Sequence, residues 1–196
     1  MKTVIDIGSN SVRLKICDRG TVKKEIITTR LSENLFFTGE LSEQAMRRTA
    51  DAVKALAERA RSLGSVPYLF ATEAVRSGRN SADFLELVTR ETGLKVDVLN
   101  GQEEAYCGFL GATCEFTSEA NNAALDIGGA SSELAGGKDH PGLSSPGDTL
   151  CNHKKYIRSR HQSQQHCRTN KSPKVHNYKS DSNYFQLNLM LIIKKN

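Results

Sequence analysis

Apolar residues near the start of the chain recur as they do in β-strands. A short apolar run at residues 4–7 ends at Gly8, which is typical of a buried strand. Apolar and polar residues alternate over 12–16, which predicts a second strand that folds back on the first. A weaker version of the same pattern predicts a third strand over 22–29. The chain is therefore expected to begin as a strand meander.

The spacing of apolar residues then changes to that of helices. Over 42–63 they recur every three, four or seven positions, which predicts a helix with one apolar face. Asn80 has the side chain of a good N-cap and Gly93 is a natural C-terminal stop, so a second helix is expected over 81–92. A third helix is predicted over 102–113.

Short apolar segments between and after these helices predict further strands. They lie at 66–71, 94–98, 123–127 and 131–135. A meander followed by alternating helices and strands is typical of an α/β layer architecture. We expect six apolar residues to lie in or near the core of this architecture: Val53, Leu56, Phe70, Leu85, Val98 and Leu125.

Composition changes abruptly after Gly137. Residues 138–196 hold 11 of the 27 lysines and arginines but 3 of the 22 aspartates and glutamates, so this tail carries +8 and the rest of the chain −3. The tail is rich in Ser, Asn, His, Gln and Lys and has no helical or strand periodicity, so it cannot bury enough apolar surface to offset its ordering entropy. A basic tail could bind nucleic acid, but an unstructured segment is the preferred interpretation.

Cysteines and terminal segments indicate the compartment. Five cysteines without any CxxC pair argue against a zinc site or a disulfide framework, and their odd number suits a reducing environment. The first residues lack the apolar core of a signal peptide, and the apolar stretch at 187–193 is too short to span a bilayer. We expect a cytoplasmic protein without a membrane partner.

Two stretches of the chain resemble each other. Residues 6–14 (DIGSNSVRL) and 126–134 (DIGGASSEL) share Asp, Ile, Gly, Ser and Leu at matching positions. In both, an apolar strand leads to an aspartate and then to a turn of small residues, whose N–H groups can cradle phosphate oxygens. A pair of ordinary hairpins with Asp and Gly in turn positions is the alternative. Because the motif occurs twice, each time after a buried strand, phosphate binding is favoured.

Four motifs in order resemble those of the Ppx/GppA phosphatases. They are the two stretches above together with ATEAVR at 71–76 and GQEEA at 101–105. The resemblance covers about residues 1–137. It implies the actin/sugar-kinase/Hsp70-like (ribonuclease H-like) fold, in which two lobes close on a phosphate-bearing substrate. By this likeness, residues 1–120 form the first lobe, 121–137 begin the second, and 138–196 are unrelated.

The resemblance also implies an activity and its residues. Family members, which are often homodimers, remove the terminal phosphate from inorganic polyphosphate or guanosine pentaphosphate. Glu104 matches the general base, Arg76 a basic residue near the phosphates, and Asp126 and Glu133 acidic residues associated with a divalent cation, Mg²⁺ in our prediction. Ten residues match phosphate-binding positions of the family: Asp6, Gly8, Ser9, Asn10, Ser11, Arg13, Gly128, Gly129, Ala130 and Ser131. Each of these residue types has a common structural use as well; Glu103 and Glu104, for example, could simply favour a helix start.

Two departures from the family pattern affect the expected activity. Ala130 and Ser132 stand where the family usually has glycine and threonine, and the Cβ of Ala130 disfavours positive φ. After about Gly137 the sequence no longer resembles the second lobe, as in a truncated or frameshifted gene. We therefore expect a weakly active or inactive chain. The alternatives are a phosphotransferase of the same broad fold, or a fragment that binds phosphate or nucleotide without catalysis.

Overall fold

The computed structural model of the chain describes residues 1–113, 123–128, 131–136 and 151–152. The strands are β1 (Lys2–Ile7), β2 (Ser11–Asp18), β3 (Thr21–Thr28), β4 (Tyr68–Ala71), β5 (Val96–Val98), β6 (Ala123–Ile127), β7 (Ser131–Gly136) and β8 (Cys151–Asn152). The helices are α1 (Leu35–Thr38), α2 (Glu43–Ser62), α3 (Glu73–Ser77), α4 (Ser81–Thr92) and α5 (Gly101–Thr113).

The first five strands form one mixed sheet in the order β3-β2-β1-β4-β5. β1, β2 and β3 are an antiparallel meander, as the alternating pattern predicts. β4 joins β1 in parallel, with Ile7 opposite Ala71, and β5 joins β4 in parallel. The carboxyl ends of β1, β4 and β5 therefore lie side by side at one edge of the sheet.

Alternation along the strands gives the sheet two apolar faces. Ile5, Ile7 and Leu14 lie in a core cluster with residues of α2 and α4. Val4 and Phe70 belong to a second cluster with residues that include Cys107 of α5. Successive side chains of a strand point to opposite faces, so helices on both sides are needed to cover the sheet.

Most of the predicted elements are confirmed, with differences at their ends. The three long helices and all seven predicted strands are present. Two strands are shorter than predicted: β4 begins at Tyr68 because Val66 is 70% exposed, and β5 begins at Val96. The one-turn helices α1 and α3 were not predicted, since a single turn is too short to show a helical period.

Asn80 is the N-cap residue of α4, as predicted, but it does not cap the helix with its side chain. Its amide instead binds the backbone of Leu41, accepting from the N–H at 2.8 Å and donating to the carbonyl at 2.9 Å. By contrast, Ser42 caps α2, with Oγ accepting from the N–H of Ala45 at 3.2 Å.

The predicted core residues divide into three groups. Val53, Leu56 and Phe70 are buried, and Leu85 is partly buried against the main cluster. Val98 is 37% exposed at the end of β5, so its placement in the core is wrong. Leu125 is also misplaced, being 62% exposed: its neighbour Ala124 packs towards α5, and alternation turns Leu125 to the other side.

A second, smaller sheet has the order β6-β7-β8 and is antiparallel throughout. It packs against α5 through a cluster that includes Ala105, Phe109 and Ala135. Cys151 and Asn152 pair with β7, so these two residues depart from the expectation that nothing after Gly137 is ordered. The rest of the predicted disordered tail lies outside the described residues.

A helix that spans a bilayer has to be both long and apolar. Within the part of the chain that the structure describes, no helix is long and apolar enough to span a membrane.

Candidate functional site

The first candidate phosphate turn connects β1 to β2. The N–H of Gly8 donates to the carbonyl of Ser11 at 3.1 Å, which closes the turn. A Cβ on Gly8 would lie 3.1 Å from that same carbonyl oxygen, so a side chain at this position would require the Ser11 carbonyl to shift by a few tenths of an ångström. The close approach of backbone therefore favours glycine at this position.

Backbone hydrogen bonds orient this turn. The carbonyl of Ser9 accepts from the N–H of Ser32 at 3.0 Å, and the carbonyl of Asn10 accepts from the N–H groups of Thr29 and Arg30 at 3.0 and 2.9 Å. In a trans peptide the C=O and the following N–H point in opposite directions. The N–H groups of Asn10 and Ser11 therefore point away from the 29–32 segment, which is the arrangement that an anion-binding turn needs.

A cross-strand ion pair lies just below the turn. Asp6 is buried, and its Oδ2 is 3.1 Å from Nη1 of Arg13, its register partner on β2. The Arg13 side chain is about one-third exposed, at 34%. Because Arg13 compensates the charge of Asp6, an approaching phosphate does not meet an isolated buried carboxylate.

The second candidate turn has the same closure as the first. The N–H of Gly128 donates to the carbonyl of Ser131 at 2.9 Å, and a Cβ on Gly128 would lie 3.3 Å from that oxygen. The sequence repeat is thus also a structural repeat at this hydrogen bond. Gly129 and Ala130, predicted to bind phosphate here, lie outside the described residues.

The two predicted metal-associated acids lie on this hairpin. Asp126 on β6 is the register partner of Glu133 on β7, and the side chain of Asp126 is exposed. The described residues contain no group of three or more His, Cys, Asp or Glu side chains that could hold a metal. Mg²⁺ is commonly held by one or two carboxylates together with substrate phosphates and waters. Two carboxylates on one hairpin fit an ion that arrives with a phosphate chain.

Arg76 and Glu104 meet at the edge where β1, β4 and β5 end. Nη1 of Arg76 lies 2.8 Å from Oε2 of Glu104, and both side chains are largely buried. Nη1 also donates to the carbonyl of Leu99 at 2.5 Å, and Nη2 donates to Oε2 of Glu73 at 2.9 Å. The structure thus brings together two residues that the sequence places in separate motifs.

The adjacent acids Glu103 and Glu104 have different roles. Glu103 forms a reciprocal cap with Asn100, accepting from its N–H at 2.8 Å and donating its own N–H to the Asn100 side chain at 2.9 Å. Glu104 faces Arg76 instead. The helix-start interpretation therefore holds for Glu103, and Glu104 is the carboxylate at the site.

Cys17 and Cys107, the two free cysteines that the structure describes, both have raised thiol pKa values. Burial raises the pKa of the Cys107 thiol to about 11, and the charges of Glu103 and Glu104 add to the shift. Burial also raises the pKa of Cys17. A nucleophilic cysteine needs a lowered thiol pKa, so neither residue is suited to form a phosphocysteine.

Three residues of the site were not assigned by sequence reasoning. They are Glu73 and Leu99, which bind Arg76, and Ser77, whose hydroxyl donates to the other oxygen of Glu73. Glu73 lies three positions before Arg76 and four before Ser77, which is the spacing of neighbours on one helix face. That spacing was the available signal, but α3 was not predicted as a helix. Leu99 acts through its backbone and carries no such signal.

The fold and the two matching turns define the class of protein. It is an α/β protein of the actin/sugar-kinase/Hsp70-like class, and the five-stranded sheet with its flanking helices is the first lobe of that fold. Residues 4–145 match the model of the Ppx/GppA phosphatase family. The chain belongs to this family, as the four motifs predict.

Relatives within the family differ in their named substrates. The chain is 35% identical over 144 residues to exopolyphosphatase 1 of Mycobacterium leprae, covering 69% of this chain and 42% of that protein. It is 34% identical over 136 residues to the guanosine-5'-triphosphate,3'-diphosphate pyrophosphatase of Photobacterium profundum, covering 66% of this chain and 27% of the relative. The chain thus spans less than half the length of these relatives.

A solved family structure gives the same result for the fold. The crystal structure of the Aquifex aeolicus Ppx/GppA phosphatase, type II variant, superposes with a TM-score of 0.61 at 31% identity. The superposition covers 71% of this chain and 49% of the Aquifex chain.

Proposed function

We propose that this chain supplies the phosphate-binding turns and the general base of a phosphohydrolase. This enzyme removes the terminal phosphate from inorganic polyphosphate or guanosine pentaphosphate. The observation that carries the proposal is the contact of Arg76 with Glu104 beside the Gly8 turn. Ile7 and Ala71 are register partners, so the turn after β1 and the segment leading to Arg76 leave the sheet side by side. In open α/β sheets, ligands bind outside the carboxyl ends of such strands.

The residue types fit phosphoryl transfer to water. Transfer of a terminal phosphate needs positioning and neutralisation of oxygen charge, which the turn N–H groups and arginine side chains can supply. Glu104 is the carboxylate placed to orient a water or accept its proton. In this proposal Arg76, which lies beside Glu104, binds an oxygen of the phosphate that the water attacks.

Mg²⁺ is proposed to accompany the substrate. Asp126 and Glu133 are the residues that would hold it, and the ion would neutralise charge on the phosphate oxygens. The second hairpin packs against α5, the helix that carries Glu104, through Ala135 and Phe109. This packing supports a role for the hairpin as a second grip on the phosphate chain.

A phosphotransferase of the same fold is the second candidate, since the fold class includes sugar kinases. The segment GQEEA at 101–105, which carries Glu104 and resembles the hydrolase family's motif, argues against it. A chain that binds phosphate without catalysis is the third candidate.

Phosphate release in isotopically labelled water separates these candidates. The chain is incubated with Mg²⁺ and tripolyphosphate in ¹⁸O-water, with and without added sugar or acetate. Hydrolysis gives orthophosphate carrying one ¹⁸O and needs no acceptor. Transfer to the added acceptor with no ¹⁸O in orthophosphate would overturn the proposal in favour of a phosphotransferase. Tripolyphosphate binding without any product, even when residues 1–137 are fused to the unmatched remainder of the M. leprae exopolyphosphatase, would support the non-catalytic candidate, and no binding would exclude all three.

A further inference from the structure

Arg76 donates hydrogen bonds to two groups and forms an ion pair with a third. Its Nη2 donates to Glu73 at 2.9 Å, its Nη1 donates to the Leu99 carbonyl at 2.5 Å, and Nη1 also lies 2.8 Å from Oε2 of Glu104. The Arg76 side chain is 19% exposed, Glu73 10% and Glu104 12%. Two carboxylates therefore pair with one guanidinium in a largely desolvated place, where ionic interactions are stronger than in water.

Both oxygens of Glu73 are engaged. Oε2 accepts from Arg76, and Oε1 accepts from the hydroxyl of Ser77. All three residues lie on the single turn of α3, which begins directly after the end of β4. The position of Glu73 relative to the sheet edge is therefore fixed independently of its contact with Arg76.

We propose that Glu73 is a positioning residue that holds the Arg76 guanidinium in place so that Glu104 can leave it. The inference rests on the proposed function. If Glu104 is to orient a water, it has to loosen its contact with Arg76, and a phosphate oxygen has to take that place. Without Glu73, the arginine would keep the Leu99 carbonyl and Glu104 as partners and would follow Glu104 as it moves. With Glu73, the Nη2 side of the guanidinium stays anchored and Nη1 is presented to the substrate.

A purely structural ion pair is the competing explanation. Pairs three residues apart on a helix stabilise it by a few tenths of a kcal/mol. Such a pair would affect the stability of α3 without fixing the orientation of the guanidinium. The two explanations therefore differ in the motion of Arg76, which can be observed directly.

Arginine NMR of the full chain measures that motion. In ¹³C,¹⁵N-arginine-labelled protein, a fixed guanidinium gives separate Nη1 and Nη2 signals, and rotation about the Nε–Cζ bond merges them. The Arg76 signals are assigned with Arg76→Lys. We expect separate signals in the unmodified chain, merged signals in Glu73→Ala, and exchange about tenfold faster in Glu73→Gln, which keeps an acceptor oxygen but loses the charge.

A matched control uses an exposed arginine–glutamate pair. Nη2 of Arg79 lies 3.1 Å from Oε1 of Glu40, with side chains 71% and 54% exposed. Glu40→Gln should leave the Arg76 signals unchanged. Separate Arg76 signals in a folded Glu73→Ala chain would overturn the proposal; if that variant does not fold, unchanged exchange in Glu73→Gln would do so.

Tripolyphosphate binding separates this inference from the proposed function. We expect Glu73→Ala and Glu73→Gln to weaken binding about tenfold while Glu40→Gln has no effect. If the unmodified chain binds no tripolyphosphate, the proposed function fails, whereas the NMR result still decides whether Glu73 fixes Arg76. If the chain binds and Glu73→Gln binds equally well, the positioning role is overturned and the proposed function stands.

Discussion

The N–H of Gly8 donates to the carbonyl of Ser11, and a Cβ on Gly8 would lie only 3.1 Å from that carbonyl oxygen. Gly8→Ala should push the Ser11 carbonyl aside and distort the turn whose N–H groups are proposed to bind phosphate. We expect tripolyphosphate affinity to fall about tenfold or more, which equals about 1.4 kcal/mol of binding free energy. Isothermal titration calorimetry measures the change.

Gly20→Ala is the control for this prediction. Gly20 has φ +82°, and a Cβ added there would have no heavy atom within 4 Å, so the change adds backbone strain without a collision. It should cost about 1–2 kcal/mol of folding stability and leave tripolyphosphate affinity unchanged. Equal affinities for the Gly8 and Gly20 variants would show that the first turn does not contact phosphate.

The amide of Asn80 makes two hydrogen bonds to the backbone of Leu41. Asn80→Asp keeps the accepting oxygen and remains a good N-cap residue, but it loses the donor to the Leu41 carbonyl. We therefore expect a loss of about 1–3 kcal/mol in the free energy of unfolding, measured by urea titration. Ser42→Asp, at a position where the side chain does cap a helix, should change stability by less than about 0.5 kcal/mol. Unchanged stability of the Asn80→Asp variant would show that Asn80 acts only as an N-cap.

Leu56 is 3% exposed in the cluster between the sheet and α2. Leu56→Ala removes buried methyl groups and leaves a cavity, so it should cost about 2–5 kcal/mol of stability. Leu125→Ala makes the same chemical change at a residue that is 62% exposed and should cost less than about 0.5 kcal/mol. Urea unfolding followed by circular dichroism compares the two. A large loss of stability in Leu125→Ala would show that Leu125 belongs to the core.

Cys107 makes stability depend on alkaline pH. Its folded-state pKa is raised to about 11 from a reference value of 9.0, so the folded chain keeps a proton that the unfolded chain releases. The stabilising contribution is full below pH 9 and is lost as pH rises towards 11. Urea midpoints should fall between about pH 8.5 and 10.5 by more in the unmodified chain than in Cys107→Ala. Identical slopes would mean that the thiol is not buried as described.

The long helices and the strands could be predicted because apolar residues repeat regularly along them. The contacts between motifs could not be predicted in this way. The helix that contains Leu56 shows a repeated apolar spacing over many turns. Arg76 lies on a helix of one turn, where no period can be read. Its contact with Glu104 depends on β4 and β5 joining β1 in parallel, which places three strand ends together. Sequence spacing does not specify that order of strands.

Local signals also failed where a tertiary contact competed with them. Asn80 has the residue type and position of an N-cap, but its amide satisfies the backbone of Leu41 in a distant segment. In contrast, the two repeated turns close in the same way, since the hydrogen bonds from Gly8 to Ser11 and from Gly128 to Ser131 are properties of the local backbone.

Phosphate release should depend on the part of the relatives that this chain does not match. Positioning of both reactants accounts for a large share of phosphoryl-transfer catalysis, and in a two-lobed cleft the facing wall provides part of it. We expect the chain alone to hydrolyse tripolyphosphate very slowly or not at all. Residues 1–137 fused to the unmatched remainder of the M. leprae exopolyphosphatase should release phosphate in a Mg²⁺-dependent reaction. Equal rates for the chain and the fusion would contradict this expectation.

Within that fusion, Glu104→Gln tests the assignment of the base. Glutamine keeps the shape and polarity of Glu104 near Arg76 but cannot accept a proton, so kcat should fall by about 10²–10⁴-fold while tripolyphosphate still binds. Glu103→Gln is the matched control, because Glu103 caps α5 through Asn100 and does not face the arginine. That variant should lose some stability, about 0.5–2 kcal/mol, and keep kcat within about twofold. A loss of kcat at Glu103 equal to that at Glu104 would show that the helix start, and not one carboxylate, is what catalysis needs.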